Sequence, residues 1–218
     1  MSMFFTSILA GPVRDMARLL IEIDIEMSGL GARLDSDLGR AAFDPDPDRG
    51  VFDGTGDKPV FYDDFMENML RIVGWTGVSL GYRFEDFSLS ILASRPGDHY
   101  VNCFVDVGLK SLAGLIAQDR VASYYQGIEA LARACRAEAG FGGPDLPFRP
   151  VTPAAAIEAV FSGPAASGHP GVFGLVSTVS MSAKDMEKRK SDRFDLDEWA
   201  SGYWFLERRD FRDSYGRI

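Results

Sequence analysis

The most conspicuous arrangement of potential ligands in the sequence is an alternation of aspartate and proline, Asp44-Pro45-Asp46-Pro47-Asp48-Arg49-Gly50. Calcium loops supply carboxylate oxygens at the same alternate spacing. The agreement ends there, because Gly50 is the seventh residue of the run instead of the sixth, and Thr55 stands where a calcium loop needs a bidentate glutamate. The prolines also hold the chain extended, whereas such a loop must wrap around its ion. We therefore predict no metal site here and interpret the run as an acidic segment that either contacts a partner or is solvated.

Histidine and cysteine are too scarce to indicate an active centre. The histidines are His99 and His169, in separate loops, and the cysteines are Cys103 and Cys135. A zinc site would need three or four of these side chains to converge. Both cysteines lie within apolar patterns, which predicts two buried thiols that act as small apolar side chains. We therefore assign no catalytic residue, metal or cofactor from these four.

Other catalytic signatures are weak. The loop GPAASGHPG, residues 163–171, carries Ser167 two residues before His169, a spacing at which the two side chains rarely face each other. Ser167 is not part of a Gly-x-Ser-x-Gly elbow, since Ala165 stands where the first glycine is needed, and no phosphate-binding glycine loop follows a strand. Glu85 and Asp86 occupy a hairpin tip, where turns commonly take acidic residues. The loop at 163–171 is nevertheless where we place the active site of an alternative function, that of a small hydrolase or transferase.

Charge is distributed unevenly along the chain. The 218 residues carry a net charge of −9, and residues 1–70, with 6 basic and 14 acidic residues, account for −8 of it. Such a surface repels nucleic acid and anionic lipid, since phosphate binding requires lysine and arginine. It attracts basic ligands and speeds their encounter, so we predict a basic protein partner and neither nucleic acid nor membrane. The residues expected to contact that partner are the aspartates Asp44, Asp46, Asp48, Asp53, Asp57, Asp63 and Asp64.

The N-terminal third is expected to be mostly helical. Apolar residues recur at spacings of three and four from Ile8 to about Leu38, which indicates one face of a helix. Pro12 suits the first turn of that helix, and Gly29 and Gly31 suggest its end. Residues 22–27, EIDIEM, also alternate with period two, so a strand remains an alternative there. Proline, glycine and aspartate stand at nearly every step of residues 39–59, which predicts an acidic loop. A second helix is expected at 62–73.

The rest of the chain mixes strands and helices. Three alternating runs between residues 78 and 107, joined by short turns, predict an antiparallel meander. We expect a helix from 112 to about 139, broken near Asp119 and followed by a connector rich in glycine and proline. Thr152 is expected to cap a short helix that ends before Gly163. The remaining elements are predicted as a strand at 173–181, a turn or exposed helix at 183–193 and a strand at 202–208.

These elements favour a single α+β domain over residues 1–218, with an acidic loop at 39–59. Strands and helices do not alternate strictly, so we predict an antiparallel sheet of five or six strands packed on one face by helices. No run of about 18 apolar residues indicates a membrane span, and the N-terminus lacks the basic region of a signal peptide. We expect a soluble, cytoplasmic protein and make no prediction of its oligomeric state.

In overall character the chain is similar to the immunity proteins of bacterial polymorphic toxin systems. The likeness rests on length, acidity, α+β pattern and the lack of a catalytic signature, and no motif matches residue by residue. It implies a protein-binding module that neutralises a toxin, and for an acidic inhibitor the implied target is a basic effector such as a nuclease. The composition thus favours a binding protein over an enzyme.

Overall fold

The computed structural model of the chain describes residues 4–42, 58–59, 77–96, 99–144, 146–147, 149–162 and 171–216. Ten strands lie within these ranges: β1 Phe4–Pro12, β2 Arg33–Ala42, β3 Lys58–Pro59, β4 Gly77–Arg83, β5 Ser88–Ser94, β6 Tyr100–Gly108, β7 Ala139–Pro144, β8 Phe173–Ser177, β9 Phe194–Trp199 and β10 Tyr203–Arg208. Six helices accompany them: α1 Met16–Gly29, α2 Leu109–Ala117, α3 Val121–Cys135, α4 Pro153–Ser162, α5 Ala183–Arg189 and α6 Phe211–Tyr215.

All ten strands join one antiparallel sheet, in the order β3-β2-β4-β5-β6-β1-β7-β8-β10-β9. The prediction of an α+β fold with a three-stranded meander is confirmed, because β4, β5 and β6 pair in sequence. The sheet is larger than the expected five or six strands. The difference arises from β1, β2, β3, β7 and β9, which the sequence patterns did not reveal.

The two faces of the sheet are covered to different extents. One face packs against α1, α2, α3 and α6, with alternate strand residues such as Leu9, Ile91 and Cys103 fully buried beneath them. A smaller apolar cluster lies on the opposite face, where α4 and α5 cover the part of the sheet around β1, β7 and β8. The expectation of helices on one face therefore holds only for the larger core. The opposite face of β4 and β5 carries exposed polar residues such as Ser88 and Ser90.

The apolar pattern from Ile8 to Leu38 extends beyond the helix at both ends, where β1 and β2 lie instead. The expected start at Pro12 is wrong, because Pro12 ends β1, whereas the expected end at Gly29 is confirmed. Strand β1 is a central strand with seven consecutive buried residues, and burial on both faces removes the period-two pattern that identifies a strand. Between the two strands the helix is correct, and it settles the alternative at residues 22–27. Asp15 begins α1 by accepting a hydrogen bond from the amide of Arg18 at 2.9 Å.

A glycine-rich strand replaces the expected connector after residue 139. Strand β7 lies between β1 and β8, where space is too small for ordinary side chains. A β-carbon placed on Gly140 would lie 2.5 Å from the Leu9 side chain, and one on Gly142 would lie 2.3 Å from the Phe173 ring. These glycines permit close packing and are not turn signals.

Several other boundaries agree with the sequence patterns. The break near Asp119 is confirmed, since this residue has φ of +54° between α2 and α3. Thr152 caps α4 by accepting a hydrogen bond from the Ala155 amide at 3.2 Å. The strand expected at 173–181 ends at Ser177, and the charged stretch after it forms α5. Of the loop predicted at 39–59, residues 39–42 and 58–59 are strand; residues 43–57 and the helix predicted at 62–73 lie outside the described residues.

Candidate functional site

The strand ends that flank the aspartate-rich segments meet at one corner of the sheet. Residues 43–57 join β2 to β3, and residues 60–76 join β3 to β4. In the register of the sheet, Ala41 pairs with Lys58 and Ala42 pairs with Gly77. Both segments are therefore attached to the sheet within a few residues of each other. The sequence alone did not indicate this, because their attachment points are up to 35 positions apart.

The seven aspartates predicted to contact a partner all lie outside the described residues: Asp44, Asp46, Asp48, Asp53, Asp57, Asp63 and Asp64. Five acidic residues of the first third have partners within the protein: Asp15, Glu22, Asp24, Glu26 and Asp35. Glu26 accepts a hydrogen bond from Arg133 at 2.6 Å, and Asp35 forms an ion pair with Arg83 at 2.8 Å. Such internal pairs reduce the negative charge that these residues offer to solvent.

A buried arginine connects α1 to the end of α3. Arg14 is nearly inaccessible; its guanidinium lies 2.6 Å from the carboxylate of Glu22, and it also donates to the carbonyl oxygen of Ala134. The hydrogen bond from Arg14 outweighs the effect of burial and lowers the pKa of Glu22. Glu22 therefore stabilises the fold at neutral pH, and this contribution is lost as the pH falls through its lowered pKa. These residues form a structural contact between two helices.

A shallow cleft on the polar face of the sheet contains one partly buried carboxylate. Asp106 on β6 accepts a hydrogen bond from the Thr6 hydroxyl at 2.5 Å. Burial raises the pKa of Asp106, although the hydrogen bond from Thr6 opposes that shift. The cleft has a volume of about 470 Å³ and also contains the half-exposed ring of Phe4. Arg83, Glu85 and Asp86 at the turn after β4 also line the cleft, and Asp86 is engaged by an ion pair with Arg120.

Of the histidine and cysteine side chains that the structure describes, the two cysteines lie next to each other. His99 is exposed just before β6, and His169 lies outside the described residues. Cys103 and Cys135 are both free and buried, as predicted. A hydrogen bond with Cys135, followed by burial, raises the pKa of the Cys103 thiol. A protonated, inaccessible thiol is a poor nucleophile.

Of the two carboxylates at the β4–β5 hairpin tip, one forms an ion pair within the protein. Glu85 and Asp86 are exposed in the turn between β4 and β5. Asp86 forms an ion pair with Arg120 at 2.5 Å, which links this turn to the start of α3. Within the described ranges, no three side chains of histidine, cysteine, aspartate or glutamate converge so as to hold a metal ion.

A cavity lined by arginines is the feature that sequence reasoning missed. Its volume is about 620 Å³, and it lies between the end of α4, the start of β9 and the residues that follow β10. Its lining includes Arg193, Arg208, Arg209 and Asp210 together with two serines and an apolar wall. Its charged residues are up to 17 positions apart in sequence and fall in a region with equal numbers of acidic and basic residues. No local pattern could therefore have indicated it.

The cavity also includes one residue of the loop at 163–171, where the alternative hydrolase or transferase would have its active site. Of the loop at 163–171 the structure describes only Gly171, which lines the cavity together with Ser162. The described lining supplies cationic and hydroxyl groups, which can bind and orient an anion.

Comparison with known proteins adds no relative, because no protein-family model matches the chain and no curated protein is similar to it. In the part of the chain that the structure describes, no helix combines the length and apolar character needed to cross a bilayer. The surfaces must therefore be interpreted from their own charge and geometry.

Proposed function

We propose that this protein is a protein-binding module that docks onto a basic partner through the acidic segments attached to the β2–β3–β4 corner. The most suitable partner is a toxin domain with a basic surface, such as a nuclease, which the protein would neutralise as an immunity-type inhibitor. The observation that carries the proposal is the concentration of −8 of the net charge of −9 in residues 1–70. The proposal assigns no catalytic step to this chain.

The shared attachment of the two segments supports this function. Strand pairing of Ala41 with Lys58 and of Ala42 with Gly77 holds the ends of both segments at adjacent backbone positions. The two segments, residues 43–57 and 60–76, carry eight acidic residues against two basic ones, which exceeds the positive charge of Arg40 and Lys58 on the strands at that corner. Aspartates on segments attached so closely add their potentials at that corner.

The expected benefit of this arrangement is fast and selective association. Complementary charge raises association rate constants from about 10⁵–10⁶ M⁻¹s⁻¹ toward 10⁸ M⁻¹s⁻¹ or more at low salt. An inhibitor of a toxic nuclease requires speed, because the toxin acts as soon as it is free. The same acidic potential repels the nucleic acid that a nuclease binds, so the inhibitor would occupy the basic surface itself.

The test is capture of the partner followed by measurement of association rates. The wild-type chain, the triple variant Asp44→Lys, Asp46→Lys, Asp48→Lys, and a control are used as baits in extracts of the native host. The partner is then purified, its association is followed at several salt concentrations, and its activity is assayed with and without the protein. We expect the triple variant to associate at least about tenfold more slowly at low salt, with a weaker salt dependence.

The control makes the same charge change elsewhere: Asp192→Lys, Asp197→Lys and Glu198→Lys, three exposed acidic residues in and beside β9. It should associate at the wild-type rate if the location of the charge matters. The proposal is refuted if the triple variant associates as fast as the wild type, or if the control slows association equally. Circular dichroism confirms that both variants retain the fold.

A further inference from the structure

The arginine-lined cavity is positively charged in an otherwise acidic protein. Arg193, Arg208 and Arg209 line it together with a single carboxylate, Asp210. Asp195 pairs with Arg209 from outside the lining, so the whole cluster has a net charge of +1. The whole chain has a net charge of −9. A local excess of arginine around a concave surface concentrates positive potential there and attracts anions.

Two of the arginines are oriented by ion pairs that leave most of their donors unused. Arg208 donates through Nε to Asp210, and Arg209 donates through Nε to Asp195 at 2.8 Å. The terminal nitrogens of both guanidinium groups make no hydrogen bond with the residues that the structure describes. Arg208 is only 17% exposed, so its guanidinium is held in place. Each pair therefore positions a guanidinium whose two terminal amino groups are available.

The third arginine makes no ion pair within the described ranges. The side chain of Arg193 contacts no carboxylate there, while its backbone carbonyl accepts a hydrogen bond from the Arg209 amide at 3.0 Å. That bond places Arg193 directly beside Arg209 across the β9–β10 hairpin. Like charges on neighbouring residues repel each other, and an anion between the two side chains would reduce the repulsion.

The opposite wall of the cavity is apolar. Val160 and Phe161 at the end of α4, and Phe194 at the start of β9, line it. Arg189 lies 4.2 Å from the centre of the Phe161 ring and so covers part of that ring. A volume of about 620 Å³ is in the range of sites for small organic ligands.

From these features we infer that the cavity binds a small organic oxyanion, in which a phosphate or carboxylate group is joined to an aromatic or other apolar body. The terminal nitrogens of Arg208 and Arg209, with Arg193, hold the oxyanion, because a guanidinium donates paired hydrogen bonds to phosphate or carboxylate oxygens. The apolar body contacts Phe161 and Phe194. This inference is independent of the proposed docking function, which concerns the other end of the sheet.

The experiment titrates the full chain with phenyl phosphate, benzoate, inorganic phosphate and phenol, using calorimetry or tryptophan fluorescence. Phenyl phosphate or benzoate should bind more tightly than inorganic phosphate, which lacks the apolar body, and than phenol, which lacks the anion. The comparison of phenyl phosphate with benzoate shows which oxyanion the cavity prefers. We expect Arg193→Gln to weaken binding of the preferred probe by roughly tenfold or more.

The matched control is Arg33→Gln on β2, an exposed arginine at the far end of the sheet. It should leave probe affinity unchanged, and equal thermal midpoints of the two variants would show that neither disturbs the fold. The inference is overturned if neither aromatic anion binds at millimolar concentration, if phenol binds as well as they do, or if both arginine variants lose affinity equally. Charge reversal at Asp44, Asp46 and Asp48 should not alter probe affinity, so failure here and failure of the docking proposal are distinguishable.

Discussion

A single buried amide fixes the segment before α4 to the sheet, and its removal has a calculable effect. Asn102 on β6 is fully buried, and its side chain accepts from the Val151 amide at 2.9 Å and donates to the Val151 carbonyl at 2.8 Å. Replacing it with alanine leaves both backbone groups without their partner. Each lost partner costs about 1–3 kcal/mol when the remaining group stays buried. Because Val151 is only partly buried and water can replace some of the contacts, we expect Asn102→Ala to lower the free energy of unfolding by about 2–4 kcal/mol.

Amide hydrogen exchange tests this account directly. In Asn102→Ala the amide of Val151 should exchange faster than in the wild type, and urea unfolding should give the lower stability. The matched control is Thr152→Ala, which removes the cap of α4 at a cost of about 1 kcal/mol but leaves the Asn102–Val151 hydrogen bonds intact. The reasoning fails if Val151 keeps its wild-type protection in Asn102→Ala, or if the two variants are equally destabilised.

Two other substitutions test packing and burial. Gly142→Ala should lower the free energy of unfolding in urea by about 1–3 kcal/mol, because its β-carbon would lie 2.3 Å from a ring carbon of Phe173. Gly143→Ala, whose β-carbon has no neighbour closer than 3.6 Å, should be much milder, and equal losses would contradict the packing argument. Asp106→Asn should raise stability at pH 7 by up to about 1 kcal/mol, since burial raises the pKa of Asp106 and ionisation therefore destabilises the fold as the pH rises through the carboxyl range. This gain should vanish near pH 3, where the carboxyl is protonated in both states; a gain independent of pH would contradict the electrostatic explanation.

The sequence predicted those elements that bury one face and leave the other face in solvent. Strands β4 and β5 alternate apolar and polar residues because only one of their faces is covered by helices. Strand β1 gives no such signal, because helices cover both of its faces. Strand β7 was missed for a different reason: its glycines serve contacts with Leu9 and Phe173, which are far away in sequence and become neighbours only in the folded sheet.

For the candidate sites, the sequence revealed what depends on composition and missed what depends on folding. Net charge is a property of the sequence, so the acidic first third was visible at once. Which carboxylates are neutralised internally was not, because Glu26 meets Arg133 and Asp35 meets Arg83 only after folding. The arginine cavity was hidden for the opposite reason, since the last 35 residues carry 9 basic and 9 acidic residues and look neutral as a sequence.

The sheet places the two proposed binding surfaces far enough apart to act independently. The acidic segments are attached at β2, β3 and β4, whereas the arginine cavity lies beside β8, β9 and β10. Seven steps separate β2 from β10 in the strand order, which at about 4.8 Å per step amounts to roughly 30 Å. The Debye length at physiological salt is about 8 Å, so the potentials of the two surfaces barely overlap in solvent. A protein of net charge −9 can therefore retain a small anion at one end of its sheet while the other end attracts a basic protein, and neither binding event needs to weaken the other.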